Sequence, residues 1–100
     1  MIVYNITYKV HREIDGAWFE WQKGVQMPGI VATGLFDDCK CWKLLDQDEE
    51  EGPTYVIQYF TSTIERYEQF LVGHAPSFRK LGREKWGNGF IGFETLMQSV

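Results

Sequence analysis

His74 is the side chain best suited to chemistry in this 100-residue sequence, because it lies within an otherwise apolar helical pattern. The histidine belongs to a series in which each residue follows the last by three or four positions. The other five members are apolar: Ile64, Tyr67, Leu71, Phe78 and Leu81. Such spacing aims one helix face at a core. An imidazole there needs a hydrogen-bond partner or a ligand, because burying an unpaired polar group costs stability. A neutral imidazole in that position can accept a proton or bind a metal.

Pro76 predicts a break in this helix just after the histidine, because proline disfavours helical geometry at the preceding Ala75. Besides simple exposure at the surface, two roles for His74 stay open. In the structural role, the imidazole satisfies a backbone carbonyl that the break leaves unpaired. In the functional role, it projects into a cleft between the second helix and the sheet. The predicted walls of that cleft are aromatic: Trp18, Trp21 and Tyr67.

Cationic residues follow the histidine along the same helix. Arg79, Lys80 and Arg83 would guide an anionic ligand towards it, although the net charge of -4 opposes this. We expect a small, partly apolar ligand that is oriented by His74 and Arg79. The predicted ligand-binding set has six members: Trp18, Trp21, Tyr67, His74, Phe78 and Arg79.

The sequence predicts neither a metal site nor a cofactor. Cys39 and Cys41 are two residues apart, which is not the Cys-x-x-Cys spacing of zinc sites, and there is no second cysteine pair. On a strand, these two side chains project from the same face with poor geometry for a mutual disulfide. We therefore expect reduced cysteines and a cytoplasmic location. Glycine-rich phosphate loops and nucleophile elbows are also absent from the sequence.

Charge and hydropathy exclude other classes of partner. A net charge of -4 works against nucleic acid, since binding phosphates relies on clustered Lys and Arg. The sequence holds no run of about 18 apolar residues and begins without a basic segment followed by an apolar one. We expect neither a membrane-spanning nor an exported protein.

The first third of the sequence predicts a strand, a helix and a turn. Residues 2–10 alternate with a period of two, which is typical of a strand. Ile14, Trp18, Trp21 and Val25 then step by four, three and four, which predicts an amphipathic helix that ends before Pro28. The segment from Pro28 to Gly34 predicts a short extra turn.

The remaining sequence predicts a hairpin, a second helix and a final strand. Residues 35–46 and 54–61 have strand character, with an acidic turn between them. Ser62 and Glu65 have the spacing of a capping box, so the second helix is predicted to begin at Ser62. A glycine-rich turn precedes the last strand, which is predicted over residues 90–97.

The predicted order of strand, helix, strand, strand, helix, strand is the split βαβ pattern. We therefore expect one α+β domain over residues 1–100 with a ferredoxin-like fold, in which two helices cover one face of a four-stranded antiparallel sheet. Apolar residues are predicted on the other face as well, because Val56 and Phe60 oppose Tyr55, Ile57 and Tyr59, and Phe90 and Leu96 oppose Ile91, Phe93 and Met97. Because a monomer seldom exposes such a patch, we expect a homodimer that pairs two sheets.

Several segments along most of the chain resemble the uncharacterised DUF4286 family: Trp18 with Trp21, Ala32–Gly34, Glu51–Tyr55, His74–Pro76 with Arg79, and Lys85–Gly87. This resemblance implies a small intracellular domain of the dimeric α+β barrel group. That wider group includes cofactor-independent monooxygenases, haem-degrading enzymes and small-molecule binders, so the resemblance implies no single activity.

Three functions are therefore compatible with the sequence. The first is a homodimeric domain that binds a small, partly apolar ligand. The second is a cofactor-independent, monooxygenase-like enzyme in which His74 acts as a base or a polar anchor. The third is a structural or interaction module without a ligand, in which the histidine supports the helix break.

Overall fold

The strand β1 (Ile2–Val10) lies in the interior of the sheet, and its alternating apolar side chains build one side of the core. The computed structural model describes all 100 residues. Five side chains of β1 are buried on the face that the helices cover: Ile2, Tyr4, Ile6, Tyr8 and Val10. The predicted strand over residues 2–10 is confirmed.

Three further strands complete an antiparallel sheet in the order β2-β3-β1-β4. They are β2 (Asp38–Lys43), β3 (Thr54–Thr61) and β4 (Phe90–Gln98). The predicted hairpin and the ferredoxin-like α+β fold are confirmed. The first strand of the hairpin is shorter than predicted, because Phe36 turns into the core before it and Asp46 after it has a φ of 57°.

The first helical region does not end before Pro28, so that prediction is wrong. It contains α1 (Asp15–Trp21), a π-helical segment (Gln22–Gln26) and α2 (Met27–Val31), with Pro28 inside α2. The backbone N–H of Met27 donates to the Gln22 carbonyl five residues earlier. This π-helical turn lies directly before α2, which contains Pro28. The chain therefore stays helical at a proline that would be expected to end a regular α-helix.

The second helical region contains α3 (Ile64–Gly73) and α4 (Ala75–Trp86), which are separated by His74 with a φ of -129° and a ψ of -38°. The predicted break is confirmed. The predicted capping box is wrong by one position, because the N-cap is Thr63. The Thr63 hydroxyl accepts a hydrogen bond from the Arg66 backbone N–H at 3.3 Å.

The break also changes which residues of α4 face the core. Leu81, the last member of the predicted apolar pattern, is 55% exposed, whereas Ala75 and Gly82 are buried. The backbone at His74 is not helical. The three-and-four spacing of apolar residues in α3 therefore does not predict which residues of α4 are buried. None of the helices combines the length and the apolar character needed to cross a lipid bilayer.

Candidate ligand-binding cleft

A cleft of about 390 Å³ lies between the two helical regions, above the sheet. Its floor is made by alternate residues of the neighbouring strands β1 and β4: Tyr4, Ile6, Tyr8, Phe90, Gly92 and Glu94. Trp21 and Ile30 line it from the first helical region, and Phe78 lines it from α4. A volume of this size is within the range of small-molecule sites.

Two glycines of the lining lie close to aromatic rings. A Cβ atom at Gly82 in α4 would lie 3.6 Å from Cζ of Phe90 and 3.7 Å from Cη2 of Trp21. A Cβ atom at Gly92 in the floor would lie 3.1 Å from Cε1 of Tyr8. Any longer side chain at Gly82 would therefore enter the gap between two aromatic rings of the lining.

The π-helical segment places two glutamines in the cleft lining. Gln22 is 2% exposed and Gln26 is 7% exposed, although both side chains are polar. Gln26 Nε2 donates to the Phe78 carbonyl at 3.5 Å. Gln22 Oε1 has no hydrogen-bond partner in the chain. Because buried polar atoms are almost always paired, this oxygen is an acceptor that a bound molecule can satisfy.

Tyr8 extends the polar part of the floor beside Gln22. Burial raises the pKa of Tyr8 to about 12, because this effect exceeds the lowering by the Gln22 side chain and by the Arg79 charge. The hydroxyl is therefore protonated at neutral pH and can both donate and accept a hydrogen bond. The deep end of the cleft thus combines a neutral hydroxyl with an unpaired amide oxygen.

An ion pair lies at the half-exposed rim of the cleft. Arg79 Nη2 donates to both carboxylate oxygens of Glu94 at 2.9 Å. The Tyr4 hydroxyl also donates to Glu94. Burial raises the pKa of the Glu94 carboxyl above its ordinary value. These contacts connect α4 to β4, which is an edge strand of the sheet.

Arg83 lines the cleft one helical turn beyond Arg79 but makes no ion pair or side-chain hydrogen bond. Glu94 is the only acidic residue of the lining. Two guanidinium groups therefore face one carboxylate, which leaves an excess of one positive charge in the cleft although the chain has a net charge of -4.

Three of the six residues predicted to bind a ligand line this cleft. Trp21 and Phe78 contribute aromatic surface, and Arg79 contributes a charge at the rim. The Trp21 ring also contacts Trp86 edge-on, with ring centroids 6.0 Å apart. The structure therefore brings Trp21, Phe78 and Arg79 together although they come from different helical regions.

The other three predicted residues lie outside the cleft lining. Trp18 is fully buried in the core and contacts the Tyr8 ring at a centroid distance of 5.0 Å. Tyr67 contacts the Tyr4 ring at 5.3 Å. His74 is half-buried, and its ring is stacked against Phe70 with centroids 6.2 Å apart.

The contacts of His74 are with the helix break itself. Its backbone N–H donates to the Phe70 carbonyl at 2.9 Å. Its carbonyl accepts hydrogen bonds from the Ser77 and Phe78 backbone N–H groups, at 3.1 Å and 3.3 Å. The imidazole makes no hydrogen bond within the chain. The backbone of His74 therefore joins α3 to α4, and its ring covers part of the core.

Three polar residues of the cleft lining were not identified from the sequence: Gln22, Gln26 and Glu94. Gln22 and Gln26 are four residues apart, a helical spacing that would have placed them on one face if polar residues had been considered. Glu94 gave no comparable signal, because its position opposite Arg79 depends on how α4 lies across the sheet.

No three side chains among His, Cys, Asp and Glu are grouped so that they could hold a metal ion. Cys39 and Cys41 are free and half-buried, and they pair with Tyr59 and Ile57 in the sheet. Burial raises the pKa of both thiols, so they are protonated at neutral pH.

The sequence matches the model of one protein family, described as "Domain of unknown function (DUF4286)", over residues 1–100. No curated protein is similar enough in sequence to count as a relative.

Solved structures with low sequence identity share the fold. A dimeric ferredoxin-like protein from an uncultured marine organism has a TM-score of 0.68 at 10% identity, covering 100% of this chain and 95% of its own. A variant of SnoaB, a cofactor-independent oxygenase from Streptomyces nogalater, has a TM-score of 0.68 at 12% identity, with coverages of 98% and 91%. An ethyl tert-butyl ether d (ethd) family protein from Bacillus halodurans has a TM-score of 0.67 at 13% identity and covers 100% of both chains. At such identities the likeness shows the fold alone.

Proposed function

The chain belongs to the DUF4286 family, and we propose that it is a homodimeric domain that binds a small, partly apolar molecule in the cleft described above. Residues 1–100 act as one domain in this proposal. The observation that carries it is the buried Gln22, a residue of the cleft lining whose Oε1 has no partner in the chain. An unpaired buried acceptor costs about 1–3 kcal/mol. A ligand that donates a hydrogen bond to it offsets that cost.

The lining of the cleft supports a partly apolar ligand. Trp21, Phe78 and Phe90 offer aromatic surface, and Ile6 and Ile30 offer aliphatic surface. Small-molecule sites typically combine such walls with a few polar groups that fix the orientation of the ligand.

We assign different roles to the six residues predicted from the sequence. Trp21, Phe78 and Arg79 are proposed ligand contacts because they line the cleft. The remaining three, His74, Trp18 and Tyr67, are proposed to hold its surroundings in place, since each packs against the core instead.

The outer face of the sheet supports the homodimer. Apolar side chains from all four strands lie on this face: Val3, Trp42, Val56, Phe60, Ile91, Phe93 and Met97. Ile91 is 60% exposed and Phe93 is 62% exposed. Apolar patches of this kind in a monomer are typical of interaction sites. Pairing with the same face of a second copy would cover them.

The polar groups at the centre of that face are compatible with burial. Trp42 Nε1 donates to Gln58 Oε1 at 3.0 Å, and Gln58 Nε2 donates to Asn5 Oδ1 at 3.3 Å. This ladder crosses three strands and pairs polar atoms with one another, so a second sheet can cover them at low cost. The structural likeness to a dimeric ferredoxin-like protein agrees with this arrangement.

Catalysis by a monooxygenase-like mechanism is the alternative, and the structural likeness to SnoaB is its support. In the sequence-based hypothesis, His74 acts within the cavity that holds the substrate. Its imidazole does not line the cleft, so we propose binding rather than turnover as the function. The cytoplasmic location expected from the free cysteines is part of the same proposal.

Native mass spectrometry of the freshly isolated full chain tests the proposal. We expect a dimer that carries one small molecule per chain. Gly82→Leu should keep the dimer and lose the small molecule, because the new side chain fills the space between Trp21 and Phe90. Gly82→Ala is the matched control and should keep the ligand. A monomer, a dimer without a ligand, or an adduct that survives Gly82→Leu would contradict the proposal.

A further inference from the structure

We infer that the molecule held in the cleft is a flat aromatic anion, with a carboxylate at the rim and a hydroxyl or N–H donor at the opposite, buried end. This inference rests on the proposed function and adds the chemical class of its ligand. Three parts of the cleft carry it: the free guanidinium at the rim, the aromatic walls and the unpaired acceptor.

The positive charge at the rim favours an anionic ligand. Arg79 is neutralised by Glu94, whereas Arg83 has no acidic partner. A guanidinium group remains charged at any physiological pH and binds a carboxylate through two parallel hydrogen bonds. Asn88 is also part of the lining, and its side chain has amide N–H donors for an anion. The excess of one positive charge in the cleft would then be compensated.

The aromatic residues in the middle of the cleft favour a ligand with a flat ring system. Trp21, Phe78 and Phe90 supply aromatic lining, and Gly82 beside Trp21 and Phe90 adds no side chain of its own. Aromatic rings pack face to face or edge to face at short distances, so a planar ligand gains most from walls of this kind.

The unpaired acceptor at the buried end favours a ligand that carries a hydrogen-bond donor there. Gln22 Oε1 can only accept, and it has neither a partner in the chain nor access to solvent. A ligand carboxylate could not satisfy it, because two acceptors repel each other. A hydroxyl or N–H group can, and this requirement fixes the direction in which the anion enters, with its charge towards Arg83.

Isothermal titration of the full chain with three related probes tests the inference. The probes are 6-hydroxy-2-naphthoate, its neutral methyl ester and 2-naphthoate, which lacks the hydroxyl. The hydroxy acid should bind about tenfold more tightly than either of the other two, since each of them loses one hydrogen-bonding end.

Charge variants localise the effect. Arg83→Gln should reduce the affinity for the hydroxy acid to that for the ester and leave the ester unaffected. Lys80→Gln removes the same charge from the same helix outside the cleft, so it should change neither affinity appreciably. Gln22→Met should remove the advantage of the hydroxy acid over 2-naphthoate, with retained folding checked by circular dichroism.

Two results would overturn the inference. If the ester binds as tightly as the acid and Gly82→Leu abolishes both, the charge requirement is wrong while ligand binding in the cleft stands. If none of the probes binds, the assigned ligand class is wrong. The proposed function is then decided by the mass-spectrometric experiment, which uses no probe.

Discussion

Arg79 on α4 and Glu94 on β4 are joined by two hydrogen bonds of 2.9 Å, and the buried Tyr4 hydroxyl donates to the same carboxylate. The two partners of Glu94 predict unequal effects of substitution. Glu94→Ala should lower the free energy of unfolding by about 1–3 kcal/mol, because it leaves the Tyr4 hydroxyl without an acceptor. Arg79→Met should cost less than about 1 kcal/mol, because the pair is half-exposed and water screens it.

Urea denaturation at one protein concentration measures both effects. The Tyr4→Phe background is the control, because the cost of Glu94→Ala should shrink once the hydroxyl is gone. Equal costs for Glu94→Ala and Arg79→Met in the native background would show that the ion pair, not the tyrosine, determines the contribution of Glu94.

Two glycines of the second helical region predict stability changes of opposite sign. Gly82→Ala should raise the free energy of unfolding by roughly 0.5–1 kcal/mol, because alanine is favoured in a helix and its Cβ meets only ordinary van der Waals contacts. Gly87 ends α4 with a φ of 55° and a ψ of -125°. Gly87→Ala should therefore lower stability by about 1–3 kcal/mol. Thermal melts that rank the two variants in the reverse order would contradict this account of the helix.

Buried tyrosines predict a loss of stability at alkaline pH. Burial raises the pKa of Tyr8 to about 12 and also raises the pKa values of Tyr55 and Tyr59. Above pH 10 the unfolded chain releases protons that the folded chain retains, so the free energy of unfolding falls as pH rises. Tyr8 alone accounts for about 2 kcal/mol of this loss by pH 12.

Absorbance at 295 nm, where tyrosinate absorbs, follows this titration. The folded chain should show its buried tyrosines ionising together with unfolding rather than near pH 10. Tyr8→Phe should flatten the dependence of stability on pH between 10 and 12. An unchanged slope in that variant would mean that Tyr8 ionises freely in the folded chain.

The outer face of the sheet predicts the oligomeric state. Phe93→Glu should convert the dimer into a monomer, because two charges would be buried between the paired sheets. Val72→Glu is the matched control: Val72 is 82% exposed on α3, on the helical side of the sheet. Size-exclusion chromatography with light scattering should report a dimer for this control and for the unmodified chain. A dimer in Phe93→Glu would place the interface elsewhere.

Local patterns were sufficient to predict most of the fold. The strand β1 was predicted within its observed bounds, because alternation places Tyr4, Ile6 and Tyr8 on one buried face. The break at His74 was also predictable, since Pro76 acts on its immediate neighbours. The first helical region was not, because a π-helical turn before Pro28 is a small backbone adjustment with no clear signature in residue types.

The cleft was only partly predictable for a different reason. Trp21 and Phe78 follow from helical spacing, and Arg79 follows from its place after His74 on the same helix. Their meeting with Glu94 depends on contacts between distant parts of the chain. The unpaired oxygen of Gln22 likewise results from the tertiary structure, because most glutamines are exposed and hydrated.

The most direct test of the cleft is a titration of the full chain with neutral 2-naphthol, followed by two-dimensional amide NMR. We expect saturable shifts at Gln22, including its side-chain amide, and at the backbones of Gly82 and Gly92. The same shifts should be absent in Gly82→Leu. Saturable shifts confined to the outer face around Trp42 and Val56, or the same cleft shifts in Gly82→Leu, would contradict a binding site between the helices and the sheet.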